Sequence, residues 1–188
     1  DFGVVRAFDR SGRSFRFNRR HSHQCRTMRR KGVLCLYSNG NLKLTGTGAT
    51  YDYDSSESVF YENDSIKSIS VGDGVTELGK YLFQYCTEIK SASLPSTLTA
   101  IQHGAFYQLD TTIGATSGLT EISLPNNLKT IGKSAFAHNA LTEITIPASV
   151  TEWESYAFTD CSKLKKVTVQ SSLIGSLPSH IVCHSRNL

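Results

Sequence analysis

Between Ile66 and Val169 the apolar residues recur in register, in blocks whose internal spacing repeats from one block to the next. Leu119-Thr-Glu-Ile122-Ser-Leu124-Pro125 leads to Leu128, Ile131, Ala135 and Phe136, and Leu141-Thr-Glu-Ile144-Thr-Ile146-Pro147 leads to Val150, Trp153, Ala157 and Phe158. Upstream, Ile89-Lys-Ser-Ala92-Ser-Leu94-Pro95 precedes Leu98, Ile101, Ala105 and Phe106. An earlier copy runs Ile66, Ile69, Val71, Val75, Leu78, Leu82 and Phe83, and a truncated fifth begins Leu164, Val167 and Val169. Phe83, Phe106, Phe136 and Phe158 stand 23, 30 and 22 residues apart. A period of this size marks a stack of small supersecondary units.

One unit can be read from its chemistry. In Ile122-Ser-Leu124 apolar and polar residues alternate, the pattern of a strand buried on one face. The proline that follows cannot donate to a ladder and ends the pairing. Beyond it the apolar spacing is too irregular for a long helix and suits a coil or a short helical turn that carries the chain back. A single unit cannot hide its apolar side alone, so neighbours must stack into a continuous core. Equivalent residues then repeat about every 4.8 Å along a parallel sheet, and the four phenylalanines form one interior file.

The tract Asn39-Gly-Asn-Leu-Lys-Leu-Thr-Gly-Thr-Gly-Ala49, followed by units of the form L-x-x-I-x-(I/L)-P-x-x-(V/L)-x-x-I-x-x-x-A-F, resembles the BspA-like leucine-rich repeat family over residues 33–170. The resemblance implies a β-rich, right-handed α/β-type solenoid with short parallel strands, short helical or coil returns, and a curved sheet on one side. It also implies a surface or secreted protein of bacterial or protist type, engaged in adhesion to host proteins or other cells. Residues 1–31 have no counterpart in that pattern, and the fifth repeat departs from it.

Four regions follow: a basic arm over 1–31, a hairpin and aromatic cap over 32–64, the repeats over 65–170, and a closing cap over 171–188. Val33 to Tyr37 and Leu42 to Thr45 flank Asn39-Gly40, a pair that favours a tight primed turn. Tyr51, Tyr53, Phe60 and Tyr61 are expected to cover the first rung, and Leu173, Ile174, Leu177, Ile181 and Val182 to close the last. The wide gap between Phe106 and Phe136 holds an insertion near residues 109–117, read as a tolerated loop extension or as a recognition loop.

Strand alternation puts two columns on the solvent side of the sheet: Ser70, Ser93, Ser123, Thr145 and Thr168, beside Ser68, Ser91, Glu121, Glu143 and Lys166. Hydroxyl ladders suit a pleated surface. Such a face lacks sugar-stacking aromatics and dense charge, so a partner there makes a broad, polar contact closer to protein recognition than to a small-molecule pocket.

Charge divides the chain. The net +4 of its 188 residues is the sum of a net +8 over residues 1–31, where ten bases face only Asp1 and Asp9, and a net −4 over the remainder. Within the arm, Arg13, Phe15, Arg16, Phe17, Arg19, Arg20, Arg26, Arg29, Arg30 and Lys31 alternate cations with rings that can stack on bases. No RNA-binding motif accompanies them. Nucleic acid, an anionic lipid surface, a neighbouring protein or plain solvation each satisfies the composition. The runner-up reading is therefore a scaffold subunit of a larger assembly, in an organelle or intracellular complex, docked through this arm.

The remaining candidates are thin. His21, His23 and Cys25, and His180, Cys183 and His184, are ligand types without the spacing of a four-ligand zinc site. Asp52-Tyr-Asp54-Ser-Ser56-Glu57 lacks the glycine and the terminal glutamate of a calcium loop. Asn63-Asp64-Ser65 has the form of a glycosylation sequon. Cys86 and Cys161 sit three rungs apart, beyond disulfide reach, and read as small buried residues, whereas pairing among Cys25, Cys35 and Cys183 stays open. No nucleophile elbow, phosphate loop or catalytic carboxylate pair appears, so neither an enzyme nor a cofactor is expected. No stretch approaches the 18 apolar residues of a membrane span. Asp1 rather than methionine stands first, so a missing leader says nothing about secretion.

Overall fold

The computed structural model describes residues 40–108 and 117–170 in full and, before them, the backbone of four strands. β1 (Arg6–Phe8) and β2 (Ser14–Arg16) pair antiparallel. β3 (His23–Met28), β4 (Gly32–Tyr37) and β5 (Asn41–Gly46) make an antiparallel meander, with Leu36 opposite Leu42 across the tight connection. β4 and β5 pair as antiparallel neighbours, and β3, from within residues 1–31, adds a third strand; Ser38 and Asn39 lie outside the described residues.

Beyond β5 the topology turns parallel. The strands are β6 (Gly48–Ala49), β7 (Ser68–Val71), β8 (Val75–Leu78), β9 (Ser91–Ser93) and β10 (Ala100–Ile101). They continue with β11 (Glu121–Ile122), β12 (Thr130–Ile131), β13 (Glu143–Ile146), β14 (Glu152–Trp153) and β15 (Lys166–Val169). Odd-numbered strands build the first sheet, β5-β7-β9-β11, continued by a separate parallel pair β13–β15. Even-numbered strands build a second parallel sheet, β6-β8-β10-β12-β14. The molecule is a parallel β-solenoid of about five turns.

The sequence pattern reads one strand per unit, and the structure has two. The second is only two residues long in most turns, such as Ala100–Ile101 and Thr130–Ile131, too short to show an alternation of its own.

The returns also resolve one expectation. No helix occurs among the described residues, so the coil alternative is the one the chain takes. The cause is local. Two residues before the buried phenylalanine, Tyr81, Gly104, Ser134 and Tyr156 all have positive φ, between 53° and 66°. Two residues after it, Tyr85, His138 and Asp160 do the same. Left-handed residues at both flanks interrupt any right-handed helical run and bend the backbone tightly around the ring. Glycine fills this position only at Gly104, where an added Cβ would lie 2.8 Å from the Tyr81 ring.

The core follows the register. Phe83, Phe106, Phe136 and Phe158 are fully buried and stack at centroid distances of 5.3, 5.6 and 5.3 Å. Phe60 stacks on Phe83 at 5.4 Å and opens the file one turn earlier. Burying each ring is worth about 2–3 kcal/mol, with about 1 kcal/mol more for each stacked pair. Leu78, Ile101, Ile131 and Trp153 form a parallel aliphatic and indole file on the second sheet.

A polar column runs alongside the rings. Cys86 Sγ donates to the Phe60 carbonyl at 2.9 Å, Asn139 Nδ2 to the Phe106 carbonyl at 2.8 Å, and Cys161 Sγ to the Phe136 carbonyl at 3.2 Å. In the turn that precedes the insertion, Gln108 Nε2 reaches the Phe83 carbonyl at 3.4 Å. The carbonyls of Phe60, Phe83, Phe106 and Phe136 thereby each find a donor from the next turn. Asn and Cys occupy equivalent positions because both are small and both can donate.

Candidate protein-binding face

The first sheet carries the two columns read from the sequence on a single outer surface. Ser68 lies opposite Ser91, Ser70 opposite Ser93, and Glu121 opposite Ser91. Glu143 lies opposite Lys166, and Thr145 opposite Thr168. Ser93, Glu121, Ser123, Glu143, Thr145 and Lys166 are exposed, and Ser68, Ser70, Ser91 and Thr168 are half-buried. All ten therefore sit together, on strands whose alternate residues Ile69, Ile144 and Ile146 point into the core.

The face starts one strand earlier than the repeat pattern indicates. Asn41 pairs with Ser68 and Lys43 with Ser70, so β5 adds an amide and a cation to the columns. The Ser70 hydroxyl lies 3.4 Å from Asn41 Oδ1. Sequence reading assigned β5 to a cap; the signal it passed over is Asn41-Leu-Lys-Leu44, which alternates like the later strands.

A shallow trough runs along this surface from Asn41 through Ser68, Ser91 and Glu121 to Glu143, and no aromatic ring lines it. Lys43 and Lys166 lie toward its ends and Glu121 and Glu143 between them, so the sign of charge changes along its length. Hydroxyls that both donate and accept, interspersed with charges of both signs, fit an extended polar partner surface.

The opposite flank, at the returns, is built differently. Tyr61 packs against Tyr85 at 5.3 Å, Tyr85 against Tyr107 at 5.7 Å, and Tyr107 edge-on against His138 at 5.4 Å. His138 Nε2 in turn lies 3.6 Å from Asp160 Oδ2. A second line joins Tyr81 to His103, their rings 4.9 Å apart, and ends with Lys133 over Tyr156 at 6.0 Å. Burial and the nearby Lys133 ammonium hold His103 below the usual histidine range. The first row had no legible period, because Tyr61, Tyr85, Tyr107 and His138 alternate between the first and second positions after the phenylalanine.

The other candidates are placed or set aside. Asn63 is 8% exposed and its Oδ1 accepts the Ser65 backbone N–H, so the folded chain buries the sequon's asparagine. Asp52 accepts the Lys80 backbone N–H and meets the Lys80 ammonium at 3.8 Å. Cys86 and Cys161 are buried free thiols, pushed up to about 12 by desolvation and hence unreactive at neutral pH. Among the described residues no cluster of His, Cys, Asp and Glu is arranged to hold a metal ion, and no helix is long and apolar enough to cross a membrane.

Several expectations lie outside the described residues: the insertion over 109–116, the closing cap over 171–188, both His/Cys clusters, and the side chains of Arg13, Phe15, Arg16, Phe17, Arg19, Arg20, Arg26, Arg29, Arg30 and Lys31.

A parallel solenoid with strand ladders along its turns and buried, ring-centred returns has the architecture of a leucine-rich-repeat protein. The BspA type leucine rich repeat region, in six copies, matches residues 53–114 and 111–187. The chain belongs to this family.

Solved structures show the same fold. A leucine-rich repeat protein from Eubacterium ventriosum is 25% identical, with a TM-score of 0.56, over 75% of this chain and 42% of that one. The pneumococcal vaccine antigen PcpA is 27% identical, with a TM-score of 0.56, over 81% of this chain and 33% of that one. The leucine rich repeat protein of T. pallidum is 21% identical, with a TM-score of 0.55, over 84% of this chain and 81% of that one. The chain thus spans less than half the length of the first two. No curated protein sequence matches it.

Proposed function

We propose that this chain is a non-catalytic recognition module of a secreted or surface-displayed protein, and that the outer face of its first sheet makes the adhesive contact. The observation that carries this reading is the exposed, ordered array from Asn41 and Lys43 to Lys166 and Thr168, a wide polar surface on a rigid repeat scaffold. Membership of the BspA type family and likeness to a vaccine antigen support a role outside the cell. The occupant is a protein surface, because the trough is open, mostly polar and free of aromatic rings, unlike a small-molecule site.

The test is binding of the full chain to immobilised extracellular-matrix and serum proteins. Ser93→Arg combined with Glu143→Arg places two long cations in the middle of the face. Binding is expected to fall at least about tenfold, the effect of about 1.4 kcal/mol, with the unfolding midpoint unchanged. Binding that survives both changes overturns the assignment.

The charge division favours one other reading, a scaffold subunit that docks by residues 1–31 on nucleic acid, lipid or a neighbouring chain. It predicts affinity that falls steeply with salt and ignores the sheet-face variant.

A further inference from the structure

Oxidative chemistry on the repeats has few places to go. Residues 40–170 hold no methionine, Trp153 is 7% exposed, and Cys86 and Cys161 are buried free thiols. Tyrosine is the remaining readily oxidised side chain that meets water there. The ring packed on exposed Tyr51 is that of buried Tyr53, and the ring packed on Tyr81 is that of His103.

The outer row differs, because there phenol meets phenol. Tyr61, Tyr85 and Tyr107 come from three successive turns, all half-buried, with ring centroids 5.3 and 5.7 Å apart. Left-handed backbone at Glu62 (φ 53°) and Tyr85 (φ 59°) fixes the chain beside both rings of the first pair. Tyr107 is held on two sides, by Tyr85 and, edge-on at 5.4 Å, by His138, whereas Tyr61 begins the row. The first pair is therefore both the closer and the freer to reach bonding distance. No cystine joins the described turns, which are held to one another by packing and hydrogen bonds.

We propose that Tyr61 and Tyr85 form a built-in site of oxidative cross-linking, at which hydrogen peroxide and a haem peroxidase join two turns through a dityrosine bond. Each phenol gives up one electron and one proton, and the peroxide takes both pairs to become two waters. The two phenoxyl radicals couple ortho carbon to ortho carbon and form one C–C bond. The hydrogens on those carbons pass through water to the phenolic oxygens as the rings regain aromaticity, so the chain loses two hydrogens in all. The link closes residues 61–85 into a covalent loop and restricts the unfolded chain as a disulfide does. It is independent of what the sheet face binds.

The test treats the full chain with hydrogen peroxide and a haem peroxidase, then reads a tryptic digest of the monomer by mass spectrometry. Expected is a linked pair of peptides, 44–67 with 81–90, two hydrogens lighter than their sum, with fragment ions placing the bond at Tyr61 and Tyr85. Rings held in contact react at an effective concentration of order millimolar, so at about 10 μM protein this product should exceed covalent dimer by about a hundredfold. Tyr61→Phe and Tyr85→Phe keep the ring and remove the phenol, and each should abolish the link with the fold intact; Tyr107→Phe should leave it. The linked monomer should unfold about 5 °C above the untreated chain. Dityrosine found mainly in covalent dimers overturns the proposal. So does a linked pair that survives Tyr85→Phe, one that forms equally well in urea, where the turns no longer hold the rings together, or an unfolding midpoint that the link leaves unmoved.

Discussion

On the strand-borne face, equivalent positions change from turn to turn: Ser68 and Ser91 give way to Glu121, Glu143 and Lys166, each on a strand at the same place in its turn. At the returns the opposite holds. Five phenylalanines stack in one file, three successive alanines (Ala105, Ala135, Ala157) accept the backbone N–H of the preceding ring residue, and the carbonyls of the first four rings each meet a side-chain donor from the next turn. The contrast says where the solenoid keeps its order. Short strands of two to four residues give few ladder bonds, so the buried spine at the returns sets the spacing and leaves the sheet face free to differ.

This division is open to attack, most severely at the spine. Phe106→Ala removes the central ring of the file and two stacking partners at once, and should cost about 4 kcal/mol of unfolding free energy in a denaturant titration. A loss under about 1 kcal/mol would place the order elsewhere. Asn139→Ala comes next. Its amide bonds the carbonyls of Phe106, Phe136 and Ala137 and accepts from Leu119 N–H, so about 3 kcal/mol should go with it.

The thiols of the spine give a pH signature. Burial raises Cys86 and Cys161 from 9.0 to about 12, so the unfolded chain releases these protons first. Stability that is complete below about pH 9 should therefore decline as pH rises toward 12, by up to about 1.4 kcal/mol per thiol per pH unit. Cys161→Ala should halve the thiol contribution to this slope; an unchanged alkaline limb would contradict the assignment.

Smaller effects sharpen the comparison. Ser134 holds φ at 53° where Gly104 holds 61°, so Ser134→Gly should stabilise by about 0.5–1 kcal/mol. On the sheet face, Ser93→Ala should move stability by no more than about 0.5 kcal/mol in either direction.

Much of this was legible in the sequence because the repeat carries it. The interior file from Phe83 to Phe158, the Ser/Thr columns and the parallel sheet all follow from apolar spacing alone. Phe60 was read as a covering aromatic, although it stands 23 residues before Phe83 and three before Asn63, as Phe83 does before Cys86. Its turn lacks the proline that marks the later units, which hid the match. The tyrosine rows were invisible for a different reason: ring contacts between turns depend on left-handed backbone at Tyr85 and His138, and no side-chain pattern announces a positive φ at a non-glycine residue.

The claim that order resides in the returns is tested most directly by native-state hydrogen exchange, amide by amide. The N–H groups of Phe83, Phe106 and Phe136 donate to Ala105, Ala135 and Ala157 at 2.8, 2.9 and 2.9 Å and should fall among the slowest in the chain, exchanging only with global unfolding. The amides of Glu121 and Ile122, on a two-residue strand, should exchange faster. If the phenylalanine amides exchange as fast as that of exposed Ser162 while the strand amides stay protected, the sheet, not the ring-centred spine, holds the solenoid together.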